Sequence, residues 1–223
     1  MKLKFDWILD LIYPRFCLNC GKMGEFWCEK CYQQLFFLRN SDITEDINEL
    51  NEKKSEVFLD KVKALFAYDG SIKKIIHQYK YKGVRDLYET LGFWLYQFLV
   101  IDKVDVITYI PIHRRRLNDR GYNQAKLIAQ FLAEKINVPC LPLLKRTIYQ
   151  EKQALSIDKN ERLEKSKDIF VIQKKIANKL NRKIKILIID DVITTGATIN
   201  QAGKVLKQEG FEKVYGVALA HGS

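Results

Sequence analysis

Long apolar runs are missing from this chain of 223 residues. Its most apolar stretch, 91–101 with the sequence LGFWLYQFLVI, has 11 residues and contains Gln97, whereas a helix needs about 20 to cross a membrane. An export signal is missing as well, because Asp6 and Asp10 interrupt the apolar block that such a signal requires. We therefore expect no membrane span and a cytoplasmic location.

Acidic residues are fewer than basic residues in this chain. Lys and Arg together number 38 against 27 Asp and Glu, which gives a net charge of +11. Hydrophobic residues make up 47% and charged residues 29%, an ordinary globular composition that excludes wholesale disorder. The excess of positive charge favours an anionic partner, which leaves nucleic acid, a phosphate ester or a membrane surface open.

Four of the five cysteines lie within 15 residues, as two CxxC pairs separated by seven residues: Cys17, Cys20, Cys28 and Cys31. Two such pairs supply the four thiolates of a tetrahedral zinc site with no open position, so we expect a structural metal in a module of residues 1–40. In a reducing cytosol a tight cysteine cluster indicates metal before disulfides. A pair of disulfides, free core cysteines and an iron–sulfur cluster remain the alternatives.

The segment 41–60 has the opposite charge to the rest of the chain. It holds seven acidic residues and two lysines, a net charge of −5, so the remaining residues carry +16. We interpret it as a solvated linker or polar helix between the zinc module and a main domain of residues 61–223.

Strand and helix patterns alternate from residue 61 onward. This alternation predicts an α/β domain with a parallel sheet flanked by helices, in which ligands bind beyond the carboxyl ends of the strands. The predicted strands are 62–68, 104–110, 184–189 and 214–220, and the predicted helices are 71–81, 87–100, 123–136 and 202–208.

A candidate phosphate site follows the strand ILII directly. Asp190 and Asp191 lead into a turn that opens the next helix, where hydroxyls and backbone N–H groups form an anion site at Thr194, Thr195, Gly196, Ala197 and Thr198. The two carboxylates would repel a phosphate, so we expect them to face a neutral diol, such as that of a ribose, beside it. Adjacent strand residues point to opposite sides, so only one aspartate should reach the diol unless the strand ends there. A P-loop, GxxxxGK[ST], is missing, which counts against an ATPase.

The run ILIIDDVITTGAT resembles the 5-phosphoribosyl-1-pyrophosphate (PRPP) signature of type I phosphoribosyltransferases. Three further runs narrow the resemblance to the ComF family, which is associated with natural competence and DNA uptake: YKYKG at 79–83, PIHRRRL with RGYNQA across 111–125, and KRT at 145–147. The four-cysteine module in front of this domain is also that family's layout. The resemblance covers nearly the whole chain apart from the acidic segment, and it implies a type I phosphoribosyltransferase fold, PRPP as ligand and Mg²⁺ with it.

Residue by residue, the resemblance implies a pyrophosphate loop after the strand at 104–110, formed by His113, Arg114, Arg115 and Arg116. It also implies a mobile loop over 145–162 that closes on PRPP, with contacts from Arg146, Gln150 and Arg162. Asp190 and Asp191 would stabilise the cation-like sugar carbon or hold the water shell of the metal. A solvated basic turn and a plain surface hairpin are the structural alternatives for these two loops.

No motif identifies an acceptor for the phosphoribosyl group, so three functions stay open. The first is a PRPP-binding competence protein that handles incoming single-stranded DNA in the cytosol, beside the uptake machinery at the inner face of the membrane. The second is an active phosphoribosyltransferase on an unidentified acceptor. The third is a regulator that senses PRPP without turnover.

Overall fold

The computed structural model describes residues 14–39, 41–47, 57–98, 103–147 and 169–222. Its strands are β1 (Lys61–Ala67), β2 (Val106–Tyr109), β3 (Leu144–Arg146), β4 (Phe170–Ile172), β5 (Lys185–Ile193) and β6 (Lys213–His221). Its helices are α1 (Glu29–Tyr32), α2 (Gly70–Tyr81), α3 (Leu87–Phe98), α4 (Arg114–Arg120), α5 (Gln124–Ile136), α6 (Lys174–Ala177) and α7 (Ala197–Gln208). Gln150 and Arg162, two predicted contacts of the mobile loop, lie outside the described residues.

Four parallel strands form the main sheet in the order β1-β6-β5-β2. The β-branched run of β5 lies at the centre because it is apolar on both faces, as a strand covered on both sides must be. The predicted strands and the first three predicted helices are confirmed. The fourth predicted helix, 202–208, begins earlier, at Ala197.

Two apolar layers cover the sheet, and alternate residues of β5 face each of them. Leu187 and Ile189 belong to the layer that contains α2, α3 and α5. Ile186 and Ile188 belong to the layer that contains α6, α7 and the β3–β4 pair. The sheet is therefore the middle of three layers, and its strand ends stay accessible at the edge.

The basic run after β2 is a helix and not the loop that the sequence indicated. The His113 ring accepts a hydrogen bond from Arg115 N at 3.2 Å, which caps the start of α4. Gly121 ends α4 in a left-handed conformation with a φ of 76°. Seven residues that bury no side chain give no amphipathic period, so the sequence pattern could not reveal this helix.

The described ends of the acidic segment pack onto the main domain. Ile43 N donates to Val62 O at 2.9 Å, and Ala64 N donates to Ser41 O at 2.8 Å. Ile43 and Ile47 are buried in the layer beneath α7, whereas the acidic side chains at 45 and 46 are exposed. Of the two interpretations of this segment, a solvated linker or a polar helix, residues 44–47 form the helix, with exposed acidic side chains and Ile47 in the core. The division of the chain at residues 40 and 60 stays a prediction.

The cysteine module is also attached to the main domain. Leu38 N donates to Leu65 O, and Ala67 N donates to Phe36 O, both at 3.0 Å, so the chain after α1 runs beside β1. Aromatic rings extend this contact, with Phe37 against Phe66 and Tyr32 against Trp94 at centroid distances of 4.8 and 5.2 Å. The module and the sheet thus share one core.

Among the described residues, no helix combines the length and the apolar character that a membrane span requires.

We expect Gly196→Ala to destabilise the protein more than Gly121→Ala does. Both glycines have φ near +75°, at 74° and 76°, so both substitutions carry about 1 kcal/mol or more of backbone strain. A Cβ at Gly121 meets open space, whereas a Cβ at Gly196 would lie 2.7 Å from the Ile47 side chain. Overpacking adds about 1–3 kcal/mol at Gly196. Urea unfolding of both variants measures the difference, and equal losses would show that Ile47 does not press on the turn.

Candidate functional site: a basic cleft at the carboxyl edge of the sheet

A cleft of about 500 Å³ opens beyond the carboxyl ends of β2 and β5, a volume within the range of roughly 300–1,000 Å³ common for small-molecule sites. Five of its side chains carry positive charge and two are carboxylates. The charged side chains are Lys73, Lys80, Arg116, Arg120, Arg146, Asp190 and Asp191. This balance suits an anionic ligand.

Both aspartates line the cleft, although the alternation of a strand predicts that only one should. The pairing of β2 with β5 ends at Tyr109 and Ile189, while β5 continues to Ile193 beside β6 alone. The side of β5 that β2 leaves uncovered is the cleft itself. Strand β5 therefore continues past the aspartates, whereas its pairing with β2 ends just before them.

Lys80, at the end of α2, pairs with Asp191. Its Nζ lies 2.8 Å from Asp191 Oδ1, and the two side chains are 19% and 11% exposed. Burial lowers the pKa of Lys80, but the negative charges of Asp191 and Asp190 have the larger effect. The pKa of Lys80 is therefore above its ordinary value. The Lys80 ammonium is therefore charged through the whole neutral range.

Asp190 has a different environment from Asp191. Burial, with Asp191 adding to it, raises the pKa of Asp190 to about 7, although Lys80, the Asp191 N–H and Arg146 all favour its charged form. The Asp191 N–H donates to Asp190 Oδ1 at 2.8 Å. Asp191 is thus paired with an ammonium group, whereas Asp190 is buried beside a second carboxylate, which raises its pKa.

The predicted phosphate turn lies beside the two aspartates. Gly196 takes the left-handed conformation that starts α7, and Thr198 lines the cleft. Thr194, Thr195 and Ala197 are exposed. Beneath the turn, Asn200 donates its N–H to Gly196 O at 2.9 Å and accepts from Phe58 N at 2.8 Å. The free end of α7 therefore faces outward at the rim of the cleft, where it suits an anion.

The residues predicted for the pyrophosphate loop, together with Arg146 of the predicted mobile loop, divide into two groups. Arg116 lines the cleft, and so does Arg146, whose guanidinium lies 5.5 Å from the Phe170 ring centroid. Burial and nearby Arg116 lower the pKa of Arg146 below its ordinary value. Arg114 and Arg115 are exposed on α4 outside the lining residues, and His113 caps that helix. A role for these three in binding pyrophosphate stays a prediction.

Several residues of the cleft have no role that the sequence predicts. Arg120 and Gln124 line it, as do Tyr68, Lys73 and His77. One signal was available for Arg120, because it follows Arg116 at the i,i+4 spacing that places two side chains on one helix face. That spacing has a meaning only if 114–120 is a helix, which the sequence did not indicate.

The four cysteines of the amino-terminal module converge on one point. Their Sγ atoms all lie within 4.8 Å of one another, and Cys17, Cys28 and Cys31 are buried. The sulfurs of Cys20 and Cys28 are 3.5 Å apart, near the roughly 3.8 Å that follows from a tetrahedron of Zn–S bonds of about 2.3 Å. Asn19 Nδ2 donates to Cys31 Sγ at 3.4 Å, as a group that stabilises a bound thiolate would. The donor set fits a metal ion such as zinc.

The sequence of this chain is similar to those of known proteins. Residues 123–222 match the phosphoribosyl transferase domain. Competence protein F of Haemophilus influenzae is 24% identical over 217 residues, which cover 92% of this chain and 85% of that protein. Competence protein ComFC of Streptococcus pneumoniae is 31% identical over 152 residues, 68% of this chain and 64% of that protein.

The chain belongs to the ComF family. Its parallel sheet with flanking helices is the phosphoribosyltransferase domain of that family, and its cysteine module precedes the domain. Among solved structures, adenine phosphoribosyltransferase from Thermoanaerobacter pseudethanolicus is 16% identical, with a TM-score of 0.41, and the match covers 64% of this chain and 84% of that one.

We expect Asp190→Asn and Asp191→Asn to change stability in opposite directions. The pKa of Asp190 is about 7 in the folded protein and about 3.9 in an unfolded chain. The folded state therefore holds the proton more tightly, and stability falls as the pH rises from about 4 to about 7. Asp190→Asn removes this penalty and should raise Tm at pH 8 more than at pH 5.

Asp191→Asn instead leaves the Lys80 ammonium without its partner, and should lower Tm by about 5 °C or more at both values of pH. Differential scanning fluorimetry at pH 5 and pH 8 measures both variants. Glu134→Gln, an exposed carboxylate on α5, controls for the loss of one negative charge. Shifts of Tm in the same direction for the two aspartates would contradict the assignment of their separate environments.

Proposed function

We propose that this ComF-family protein binds PRPP in the cleft, with the ribose 5-phosphate on the turn at 194–198. The observation that carries this proposal is the cleft's composition, five positive side chains around two carboxylates at the end of β5. The helix start at Ala197 suits the 5-phosphate. The carboxylates of Asp190 and Asp191 would accept hydrogen bonds from the ribose hydroxyls. A phosphate group would approach these carboxylates less readily, because phosphate and carboxylate both carry negative charge.

The pyrophosphate of PRPP would lie toward Arg116 and Arg146, since guanidinium groups bind phosphate oxygens in pairs. Mg²⁺ bound with PRPP would neutralise part of the pyrophosphate charge. Carboxylate oxygens are the protein ligands that Mg²⁺ prefers, and Asp190 is the aspartate that Lys80 leaves available. Zn²⁺ is the metal we propose for the four cysteines, in a structural role because all four positions are filled by protein.

Calorimetric titration of PRPP with Mg²⁺ tests the site. We expect the double variant Asp190→Asn, Asp191→Asn to bind at least about tenfold more weakly than the wild type, because each charged hydrogen bond contributes about 1.5–3 kcal/mol. Glu134→Gln with Glu212→Gln removes the same charge at exposed positions outside the cleft and should leave binding unchanged. Equal affinity of the wild type and the aspartate variant, or no binding by the wild type, would contradict the proposal.

We infer further that the protein supports DNA uptake by handling incoming single-stranded DNA in the cytoplasm, next to the uptake machinery at the inner face of the membrane. Its relatives are named competence proteins, and its net charge is +11. Arg114 and Arg115 are exposed on α4, which also carries Arg116 and Arg120 at the rim of the cleft. A nucleic-acid strand that follows α4 would meet the four arginines of this helix, with Asp119 as its one acidic side chain.

Fluorescence anisotropy of a labelled single-stranded oligonucleotide over a salt series tests this inference. Arg114→Ala with Arg115→Ala should weaken binding and reduce the slope of log K against log salt by about 1.4, since each phosphate contact contributes about 0.7. Lys179→Ala with Lys183→Ala removes equal charge before the amino end of β5, opposite the cleft, and should change neither. Salt-insensitive binding, or equal effects of the two pairs, would contradict it.

Phosphoribosyl transfer to an acceptor is a second candidate function. The observation that favours it is the extent of the cleft, whose lining includes Tyr81 and Arg120 in addition to the residues to which we assign PRPP contacts. Release of pyrophosphate from PRPP on addition of an acceptor would support transfer, whereas a change in DNA affinity with PRPP and no release would favour a PRPP-sensing regulator.

A further inference from the structure

A second groove, which we call the aromatic groove, lies between the cysteine module and the helices α3 and α5. Its volume is about 500 Å³, and it shares no lining residue with the cleft. Six of its fourteen lining residues are aromatic, against 12% of the whole chain. These six are Phe26, Trp27 and Tyr32 of the module, Phe93 and Trp94 of α3, and Phe131 of α5.

Packing against the core holds the rings of the aromatic groove in place. Trp27 and Trp94 are only 4% and 6% exposed, and both belong to the core that the module shares with the sheet. The Tyr32 ring joins the two sides, because its centroid lies 5.2 Å from that of Trp94. Phe93, in contrast, is 44% exposed. The groove is therefore preformed, with buried rings inside and an exposed ring at its mouth.

The Trp27 indole lines the groove and carries an unsatisfied hydrogen-bond donor. Its Nε1 is buried and has no hydrogen-bond partner among the residues that the structure describes. A buried tryptophan N–H usually has such a partner, and a donor left without one destabilises the folded state. An acceptor atom of a bound molecule, such as a peptide carbonyl, would satisfy it.

The charges of the aromatic groove differ in sign from those of the cleft. Its charged side chains are three carboxylates and two basic groups: Glu25, Glu29, Glu89, Arg15 and Lys135. The Arg15 guanidinium lies over the Phe26 ring, 5.5 Å from its centroid. The Lys135 ammonium lies over the Phe131 ring, 5.3 Å from its centroid. The rings of this groove thus already bind cations on their faces, and the carboxylates favour a further one.

We propose that the aromatic groove binds a basic segment of a partner polypeptide. A lysine or arginine side chain of that segment lies between the rings and the carboxylates, and one of its main-chain carbonyls accepts from Trp27 Nε1. Phe93 covers the apolar atoms of the segment at the mouth of the groove. The inference goes beyond PRPP binding and does not depend on it, because the groove and the cleft have no lining residue in common.

A basic polypeptide fits this groove better than a nucleic acid or an alkylamine does. The bases of a nucleic acid could stack on the rings, but its phosphates would meet three carboxylates. A protonated alkylamine has no acceptor for the Trp27 N–H. A basic peptide supplies the cation, the apolar atoms and a carbonyl in every residue. Aromatic side chains are also prominent among the residues that dominate binding at protein interfaces.

Selection from a random library of displayed dodecapeptides tests the proposal. The library is first depleted on the triple variant Glu29→Gln, Glu89→Gln, Phe93→Ala, which removes peptides that bind elsewhere, and is then selected on the wild type. The recovered peptides should be rich in Lys and Arg. In fluorescence anisotropy, a labelled recovered peptide should bind Phe93→Ala about fivefold or more weakly than the wild type. Trp27→Phe, which keeps a ring and removes the donor, should weaken binding about two- to tenfold.

Glu29→Gln with Glu89→Gln should weaken binding about two- to thirtyfold, the range of two surface ion pairs, and reduce its dependence on salt. Glu45→Gln with Glu212→Gln removes equal charge at exposed positions outside the groove and should change neither. Recovery of no basic peptide, or equal affinity of the two glutamate pairs, would overturn the proposal. So would a loss of single-stranded oligonucleotide binding in Phe93→Ala with no loss of peptide binding, which would assign the groove to nucleic acid.

Discussion

The unequal lengths of two neighbouring strands determine where the cleft of this molecule opens. β5 continues four residues past the point where its pairing with β2 ends, at Tyr109 and Ile189. That mismatch uncovers one side of β5 just where the sequence changes from apolar residues to two aspartates. An uncovered strand edge with two adjacent carboxylates needs compensating charge, and Lys80 from α2 supplies it at 2.8 Å. The cleft and its charge pattern both follow from where β2 stops.

The run ILIIDDVITTGAT was the most informative part of the sequence because its chemistry is local. The strand, the aspartates and the helix start are consecutive, so their order alone predicted the phosphate turn. The opposite cleft wall depends on contacts between distant segments, such as Tyr79 with Gln124. Neither residue carries a signal of that contact in its own neighbourhood. The short helix α4 was missed for a related reason, because seven residues without a buried side chain show no period.

The acidic segment shows what a charge count leaves out. Its net charge predicted a solvated linker or a polar helix, but it did not reveal that Ile43 and Ile47 are completely buried, and burial of such a side chain contributes about 1.5–3 kcal/mol. The charged side chains of this segment are exposed, and the buried isoleucines fix its backbone against the main domain. Since Ile47 fills the space in front of Gly196, this segment supports the phosphate turn from below, and glycine is needed there for room as well as for its φ.

The cysteine module has a structural connection to the cleft through α2. One face of this helix buries Ile72, Ile75, Ile76 and Tyr79 in the core that also contains Cys17, Cys28 and Cys31. Near its start, Lys74 Nζ donates to Asn19 Oδ1 at 3.4 Å, and Asn19 in turn donates to Cys31 Sγ. The last turn of the same helix carries Lys80 and Tyr81, and both residues line the cleft. A metal bound by the four cysteines would therefore stabilise the packing behind α2, the element that presents the counter-charge for Asp191 to the cleft. The cysteine module and the cleft thus meet on one helix, which is a physical reason for the two parts to stay together in one chain.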